Sequence, residues 1–146
     1  VFFGFVPVCG TYYVQAYTLN MDVLVLSLVS GLAIDTLLMV NNYRDREQDA
    51  VSGKCTLVVR YGRKFGENMY LGLGIAATLF CLWFVNTGRL TLIEFIWAPC
   101  VYLCMHALTW RKMVKIRSGK GLNRILGETS RNMLFLGILL AVALAA

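Results

Sequence analysis

The chain has 146 residues, of which 58% are apolar and only 15% are charged, and its formal net charge is +6. An ordinary soluble domain carries about 25% charged residues, so this composition argues against a soluble protein and favours an integral membrane protein. The charged residues gather in two blocks, residues 44–67 and 111–131, which hold nearly all of the basic residues. This placement predicts contact with a lipid bilayer and argues against nucleic-acid binding.

Five apolar stretches approach the roughly 20 residues that a membrane-spanning helix needs. They cover residues 1–19, 22–42, 68–86, 90–108 and 122–146. Helices are expected in all five, because lipid offers no hydrogen-bond partner to the backbone of an open strand. The sequence therefore predicts an all-α, polytopic transmembrane helical bundle of about five spans.

The basic residues also predict how these spans are oriented. Lys and Arg concentrate in cytoplasmic loops, and the turn between the third and fourth spans holds only Arg89. We therefore expect a multi-pass protein of the cytoplasmic (inner) membrane. Both basic blocks would lie on the cytoplasmic side, and Arg89 would lie outside.

The densest polar segment, residues 41–49, begins while the second span is still apolar. If the helix continues, Asn41, Asp45 and Asp49 stand one turn apart on one face. Two carboxylates at this spacing suit a Mg²⁺ ion that also binds substrate phosphate oxygens, and Asn41 adds a neutral oxygen. A solvated, charged helix end explains the spacing equally well.

The next residues fit the same interpretation. Gly53 is placed to end the helix, so Lys54 can reach back toward a bound phosphate, as can Arg44. A Mg²⁺ ion and fixed cations would stabilise the charge on a departing diphosphate.

The segment 41–62, NNYRDREQDAVSGKCTLVVRYG, resembles the second aspartate-rich motif of the UbiA prenyltransferase superfamily. It is most similar to the MenA branch, which transfers polyprenyl groups to 1,4-dihydroxy-2-naphthoate. The opening residues VFFGFVPV and GTYYVQ resemble the fifth span of that branch. The resemblance follows the whole chain in span order and is most specific at residues 41–62.

The resemblance implies a nine-helix fold in which two aspartate motifs hold Mg²⁺ and a polyprenyl diphosphate near the cytoplasmic surface. Asp45 and Asp49 would be the catalytic, metal-holding residues. The family's first motif, a second N-x-x-x-D-x-x-x-D on an earlier span, does not occur in this sequence. Residues 1–146 are therefore expected to be the C-terminal part of the domain, inactive alone. The residues implied to assist the diphosphate are Asn41, Asn42, Arg44 and Lys54.

Further polar residues lie inside the spans. Asp35 is expected to face the cavity, since intramembrane acids are often functional, although a structural hydrogen bond is equally compatible. Tyr12, Tyr13 and Gln15 could line the cavity and contact the allylic cation or the acceptor ring, or could simply pack between helices. His106 is expected to be structural.

Several polar and sulfur-containing residues are expected to have no catalytic role. Asp22 and Glu94 are expected to be solvated, and the five cysteines to act as small apolar residues. The basic residues expected to meet anionic lipid head groups, with capture of substrate as the lesser option, are Lys112, Lys115, Arg117 and Lys120.

Two alternatives remain open. The protein could be a UbiA-type enzyme with another acceptor, such as 4-hydroxybenzoate, homogentisate or a haem. It could also be part of a transporter or channel with Asp35 in an ion path, which inverted repeats of these spans would support.

Overall fold

The computed structural model describes residues 2–145, and within that range the chain forms only helices and the turns between them. Val1 and Ala146, at the outer ends of the first and last expected spans, lie outside the described residues. The helices are α1 (Phe2–Ala16), α2 (Met21–Arg44), α3 (Arg46–Val51), α4 (Leu57–Tyr61), α5 (Arg63–Phe80), α6 (Leu82–Asn86), α7 (Leu92–Phe95), α8 (Val101–Ile116) and α9 (Leu122–Ala145). A π-helical turn, Ile96–Cys100, joins α7 to α8.

Four helical segments are long and apolar enough to cross a membrane: Met21–Arg44, Arg63–Asn86, Leu92–Ile116 and Leu122–Leu144. They correspond to four of the five expected spans and confirm the polytopic helical bundle. The remaining expected span contains α1, which has 15 residues and ends at Ala16. The described part of that helix measures about 22 Å at 1.5 Å per residue, less than the ~30 Å hydrocarbon core.

The four long segments form a ring. Helix α2 packs against α5 and α9, and α8 packs against the same two helices from the opposite side. Helix α1 packs on the outer face of α2, where Gly4 lies so close to Ser27 and Gly31 that a Cβ on Gly4 would overlap their backbone atoms. Small residues spaced four apart commonly allow such close approach of membrane helices.

The bundle buries one apolar cluster near each end. The cluster near the start of α2 includes Val29 and Phe84, and the one near its end includes Val40 and Met113. Between them the buried residues of α8 and α9 are polar, and Asn132 Nδ2 donates to Thr109 Oγ1 at 3.0 Å. Internal hydrogen bonds are needed here because lipid supplies no partner.

His106 belongs to this polar layer and has a structural role, as expected. Its Nε2 lies 2.9 Å from the carbonyl oxygen of Tyr70. Its ring stacks on those of Tyr70 and Tyr102, with centroids 4.2 and 5.6 Å apart. A Cβ on Gly74 would overlap the imidazole, so this glycine provides the space that the ring occupies.

Asp22 is not simply solvated, contrary to the sequence-based expectation. Asp22 accepts from Trp83 Nε1 at 2.9 Å and lies 3.3 Å from Arg89 Nε. Glu94 forms a capping box with Thr91 at the start of α7. The contacts of Asp22 tie the start of α2 to the turn after α6, so these two connections lie at the same end of the bundle.

Candidate functional site

A cleft of about 430 Å³ opens at the other end of the bundle, where the end of α2 meets the connection between α8 and α9. Five of its lining residues are basic and two are acidic. The charged lining residues are Arg44, Arg46, Arg63, Arg117, Lys120, Asp45 and Glu47. This excess of cations suits an anionic ligand.

Arg44 organises one wall of the cleft. Its Nε and Nη2 donate to the two carboxylate oxygens of Asp45 at 2.7 and 2.8 Å. Nη2 also donates to Asn41 Oδ1 at 2.8 Å, and Nη1 donates to Asn123 Oδ1 at 3.0 Å. The guanidinium group therefore joins residues from both sides of the cleft, with the two-pronged geometry that favours carboxylate binding.

The hydrogen bonds from Arg44 hold the pKa of the Asp45 carboxyl below its usual value of 3.8 against the opposing effect of burial, and the charge of Lys54 lowers the pKa further. Because the folded-state pKa is lowered, the ion pair is fully formed above the usual pKa and is lost as the pH falls through the lowered value. Asp45 is therefore charged throughout the neutral range.

Asp49 is not among the described residues that line the cleft, and it lies in a different environment. It is only 8% exposed, and Lys54 Nζ lies 3.3 Å from its Oδ1. Its Oδ2 is buried, and the described residues give that oxygen no hydrogen-bond partner. An unpartnered buried carboxylate oxygen is costly, so this oxygen is suited to a ligand.

The helix does not continue unbroken through residues 41–49. Helix α2 ends at Arg44 and α3 begins at Arg46, with Asp45 between them at φ −89° and ψ 3°. At this break both carboxylate oxygens of Asp45 accept from the neighbouring Arg44. The backbone spacing survives, since Asp45 N–H donates to Asn41 O and Asp49 N–H donates to Asp45 O.

Gly53 ends this polar segment as expected, with φ of +75° after the cap at Ser52. The positive φ favours glycine. It turns the chain so that Lys54 returns to Asp49. Further along, Tyr43 at the end of α2 donates to Glu67 Oε1 of α5 at 2.8 Å, which anchors the cleft wall to the bundle.

The sequence predicted the second wall mainly as a lipid-contacting segment, with capture of substrate as the lesser option. Arg117 and Lys120 come from the α8–α9 connection and Asn123 comes from the first turn of α9, more than 70 residues from α2 in sequence. Lys112, grouped with these basic residues in the sequence, instead pairs with Glu128 of α9 at 2.8 Å. The one feature of the sequence that indicates a structured turn here is the pair of glycines that flank Lys120.

The remaining predicted site residues lie elsewhere. Tyr12 accepts from Asn20 Nδ2 at 3.3 Å, next to the start of α2, about 36 Å from Arg44 along this 24-residue helix. Tyr13 and Gln15 are exposed on the same part of α1. Asn42 and Asp35 are half-buried on α2, and neither is among the described residues that line the cleft.

An apolar groove continues from the cleft wall along α2 and α9. One part, of about 440 Å³, is lined by Asn41, Ile34 and Ser130 among others. The next part, of about 370 Å³, shares Ile34 and continues to Leu144. Asn41 therefore lines the apolar groove while its side chain accepts from Arg44, which lines the charged cleft.

Membrane-length helices with a charged cleft at one end and an apolar groove beside it define a membrane protein suited to an amphipathic ligand. Residues 1–139 match the model of the UbiA prenyltransferase family. The chain belongs to this family.

Relatives with curated names include two mycobacterial proteins, each called 1,4-dihydroxy-2-naphthoate octaprenyltransferase. The one from Mycobacterium leprae is 35% identical over 99% of this chain and 47% of its own length. The one from Mycobacterium tuberculosis is 35% identical over 99% of this chain and 48% of its own length. A Haemophilus influenzae protein of the same name is 39% identical over 60% of this chain and 29% of its own length.

The chain thus spans about half the length of the mycobacterial relatives. No solved structure matches it.

Proposed function

We propose that the complete protein transfers a polyprenyl group from its diphosphate to 1,4-dihydroxy-2-naphthoate in menaquinone biosynthesis. The observation that carries the proposal is the pairing of two carboxylates with a basic cleft at the end of α2. Asp45 is held ionised by Arg44, and Asp49 has a buried oxygen without a hydrogen-bond partner in the described residues. The names of the relatives support the choice of substrates.

The oxygen atoms of the site would suit a Mg²⁺ ion. This ion prefers oxygen ligands and uses one or two carboxylates together with substrate phosphates, and the buried Oδ2 of Asp49, which has no hydrogen-bond partner in the described residues, would be such a ligand. Asp49, Asp45 and Asn41 would hold it, with further ligands from the first aspartate motif that the family resemblance implies. When bound, Mg²⁺ would stabilise the negative charge on the departing diphosphate.

The chain's own residues would then bind and orient the donor. The basic lining of the cleft, including Arg46, would bind the diphosphate, with Lys54 beside Asp49. The polyprenyl tail would lie in the groove between α2 and α9, whose apolar lining favours its burial. Asn41 lies at the junction and would mark the position of the reacting carbon.

In the proposed reaction the bond between the allylic carbon and the diphosphate oxygen breaks, and its electron pair leaves with the diphosphate. The electron-rich naphthoate ring attacks the allylic carbon, and the carboxylate of the acceptor is lost as CO₂. Apolar walls exclude water, which would otherwise capture the allylic cation.

Prenyl transfer by the purified complete protein tests this function. With Mg²⁺, octaprenyl diphosphate and 1,4-dihydroxy-2-naphthoate, we expect a prenylated, decarboxylated naphthoquinol detected by mass spectrometry. Residues 1–146 expressed alone should form no product, because one carboxylate pair cannot hold a diphosphate from two sides. Faster transfer to 4-hydroxybenzoate would contradict the proposed acceptor, and turnover by residues 1–146 would contradict the two-motif requirement.

The cleft is also proposed to open on the cytoplasmic side of the cytoplasmic membrane, since the basic blocks surround it. Single cysteines at Ser118 and Thr87, in a background without the five native cysteines, report the orientation. We expect Thr87→Cys to react with a membrane-impermeant maleimide added to intact cells, and Ser118→Cys to react only after the membrane is opened. The reverse pattern would invert the proposed topology.

A further inference from the structure

The α8–α9 connection carries two cations, Arg117 and Lys120, that line the cleft opposite Asp45. Among the described residues, the ion pairs engage neighbouring basic side chains but not these two. Lys112 and Arg124 pair with Glu128, and Arg63 pairs with Glu47. Both cations are exposed to the cleft and available to an anion.

The connection is a tightly built turn. The N–H of Arg117 donates to Met113 O at 3.1 Å, and the N–H of Ser118 donates to Ile116 O at 2.8 Å. Arg117 has φ of +65° and Gly119 has φ of +88°. A positive φ is unfavourable for a side chain such as arginine, and backbone strain of this kind clusters at binding sites.

This turn is fixed to the aspartate segment. Asn123, on the first turn of α9, accepts from Arg44 Nη1 at 3.0 Å, and Arg44 in turn holds Asp45. Arg46 also lines the cleft, and its Nε is buried without a hydrogen-bond partner in the described part of the chain. The cleft therefore has an unused donor on one wall and two cations on the other.

We propose that Arg117 and Lys120 bind the phosphate groups of the prenyl diphosphate, so that the α8–α9 connection forms a second basic wall of the donor site. This inference rests on the proposed function. Without these two cations, the remaining lining would place three basic residues beside Asp45 and Glu47. The second wall gives the cleft its clear excess of positive charge, which a multiply charged anion requires.

Equilibrium binding of inorganic diphosphate to the complete protein, in detergent with Mg²⁺, tests the proposal. The variants are Arg117→Gly, Lys120→Ala and both together. Glycine is chosen at position 117 because it adopts the observed φ without strain, so the charge is removed without endangering the fold. Lys115→Ala is the matched control, since it removes the same charge from an exposed position that does not line the cleft.

Each single variant should weaken diphosphate binding about tenfold, as expected for loss of one charge-assisted hydrogen bond. The KM for prenyl diphosphate should rise in parallel while kcat changes little, which is the signature of lost donor binding. The double variant should bind diphosphate about 100-fold more weakly than the unaltered protein. Lys115→Ala should stay within about twofold, and Arg117→Lys should recover most of the affinity.

The possible results separate the two proposals. If the double variant binds diphosphate as tightly as the unaltered protein while prenyl transfer proceeds, the second basic wall is refuted and the proposed function stands. An equal loss in Lys115→Ala would show a general charge effect and would also refute it. If the unaltered protein neither binds diphosphate nor transfers prenyl groups, both proposals are wrong.

Discussion

Asp49→Asn should lower prenyl transfer by the complete protein at least ~100-fold without preventing membrane insertion. Asparagine keeps the size of the side chain but replaces a buried carboxylate by a neutral group. Mg²⁺ dehydrates reluctantly and binds neutral ligands poorly. Charge stabilisation by a metal is worth several kcal/mol, and each ~1.4 kcal/mol changes the rate tenfold. Initial rates at saturating Mg²⁺ measure the effect.

Asp45→Asn should lower the rate of prenyl transfer by a similar factor. It removes the negative charge of a proposed metal ligand and also leaves Arg44 without its carboxylate partner. Glu47→Gln is the matched control. Glu47 lines the same cleft, but its side chain is 76% exposed and lies 3.5 Å from Arg63. Glu47→Gln should lower the rate of prenyl transfer less than about threefold, since exposed ion pairs contribute little.

Equal losses in all three variants would mean that the assay responds to negative charge near the cleft rather than to a specific carboxylate pair. A fully active Asp49→Asn protein would remove Asp49 from the site altogether.

Gly4→Ala should lower the thermal unfolding midpoint of the complete protein in detergent by several degrees. The added Cβ would overlap the backbone of Ser27 and Gly31, and a backbone cannot rotate away as a side chain can. Overpacking costs about 1–3 kcal/mol, and this site should lie at the upper end. Helix α1 would have to move away from α2, close to the groove that Phe3 helps to line.

Gly10→Ala provides the comparison on the same helix, because a Cβ there meets nothing within 4 Å and alanine favours helix formation over glycine. Its midpoint should be equal to or higher than that of the unaltered protein. If the two alanine variants unfold at the same temperature, the close approach of α1 to α2 is not a stabilising contact.

The sequence predicted the helical bundle well because the hydropathy of a span depends only on its own residues and not on its contacts. The length of a helix was predicted less well. Helices α5 and α8 extend beyond the expected spans into the basic blocks, since hydropathy marks where lipid ends and not where a helix ends.

The sequence also predicted one part of the candidate site better than the other. The segment 41–54 was predictable, because its polar residues are consecutive in sequence. Substrate capture by Arg117 and Lys120 was only the lesser option, since the bond between Arg44 and Asn123, which brings the two segments together, joins residues 79 positions apart. Basic residues that precede a membrane span commonly bind lipid head groups. Only the tertiary structure shows that Lys112 pairs with Glu128 whereas Arg117 lines the cleft. The roles predicted for Asp35, Tyr12, Tyr13 and Gln15 remain predictions.

The π-helical turn at Ile96–Cys100 lies directly before the part of α8 that carries the aromatic stack. A π turn accommodates one more residue than an α turn, and each residue advances an α-helix by about 100°. Tyr102 and His106 follow this turn and contact each other. Loss of a single residue from the turn would be taken up by its conversion to an ordinary α turn, so both rings would keep their places. Loss of a residue between Tyr102 and His106 would instead rotate one ring relative to the other and disrupt the stack.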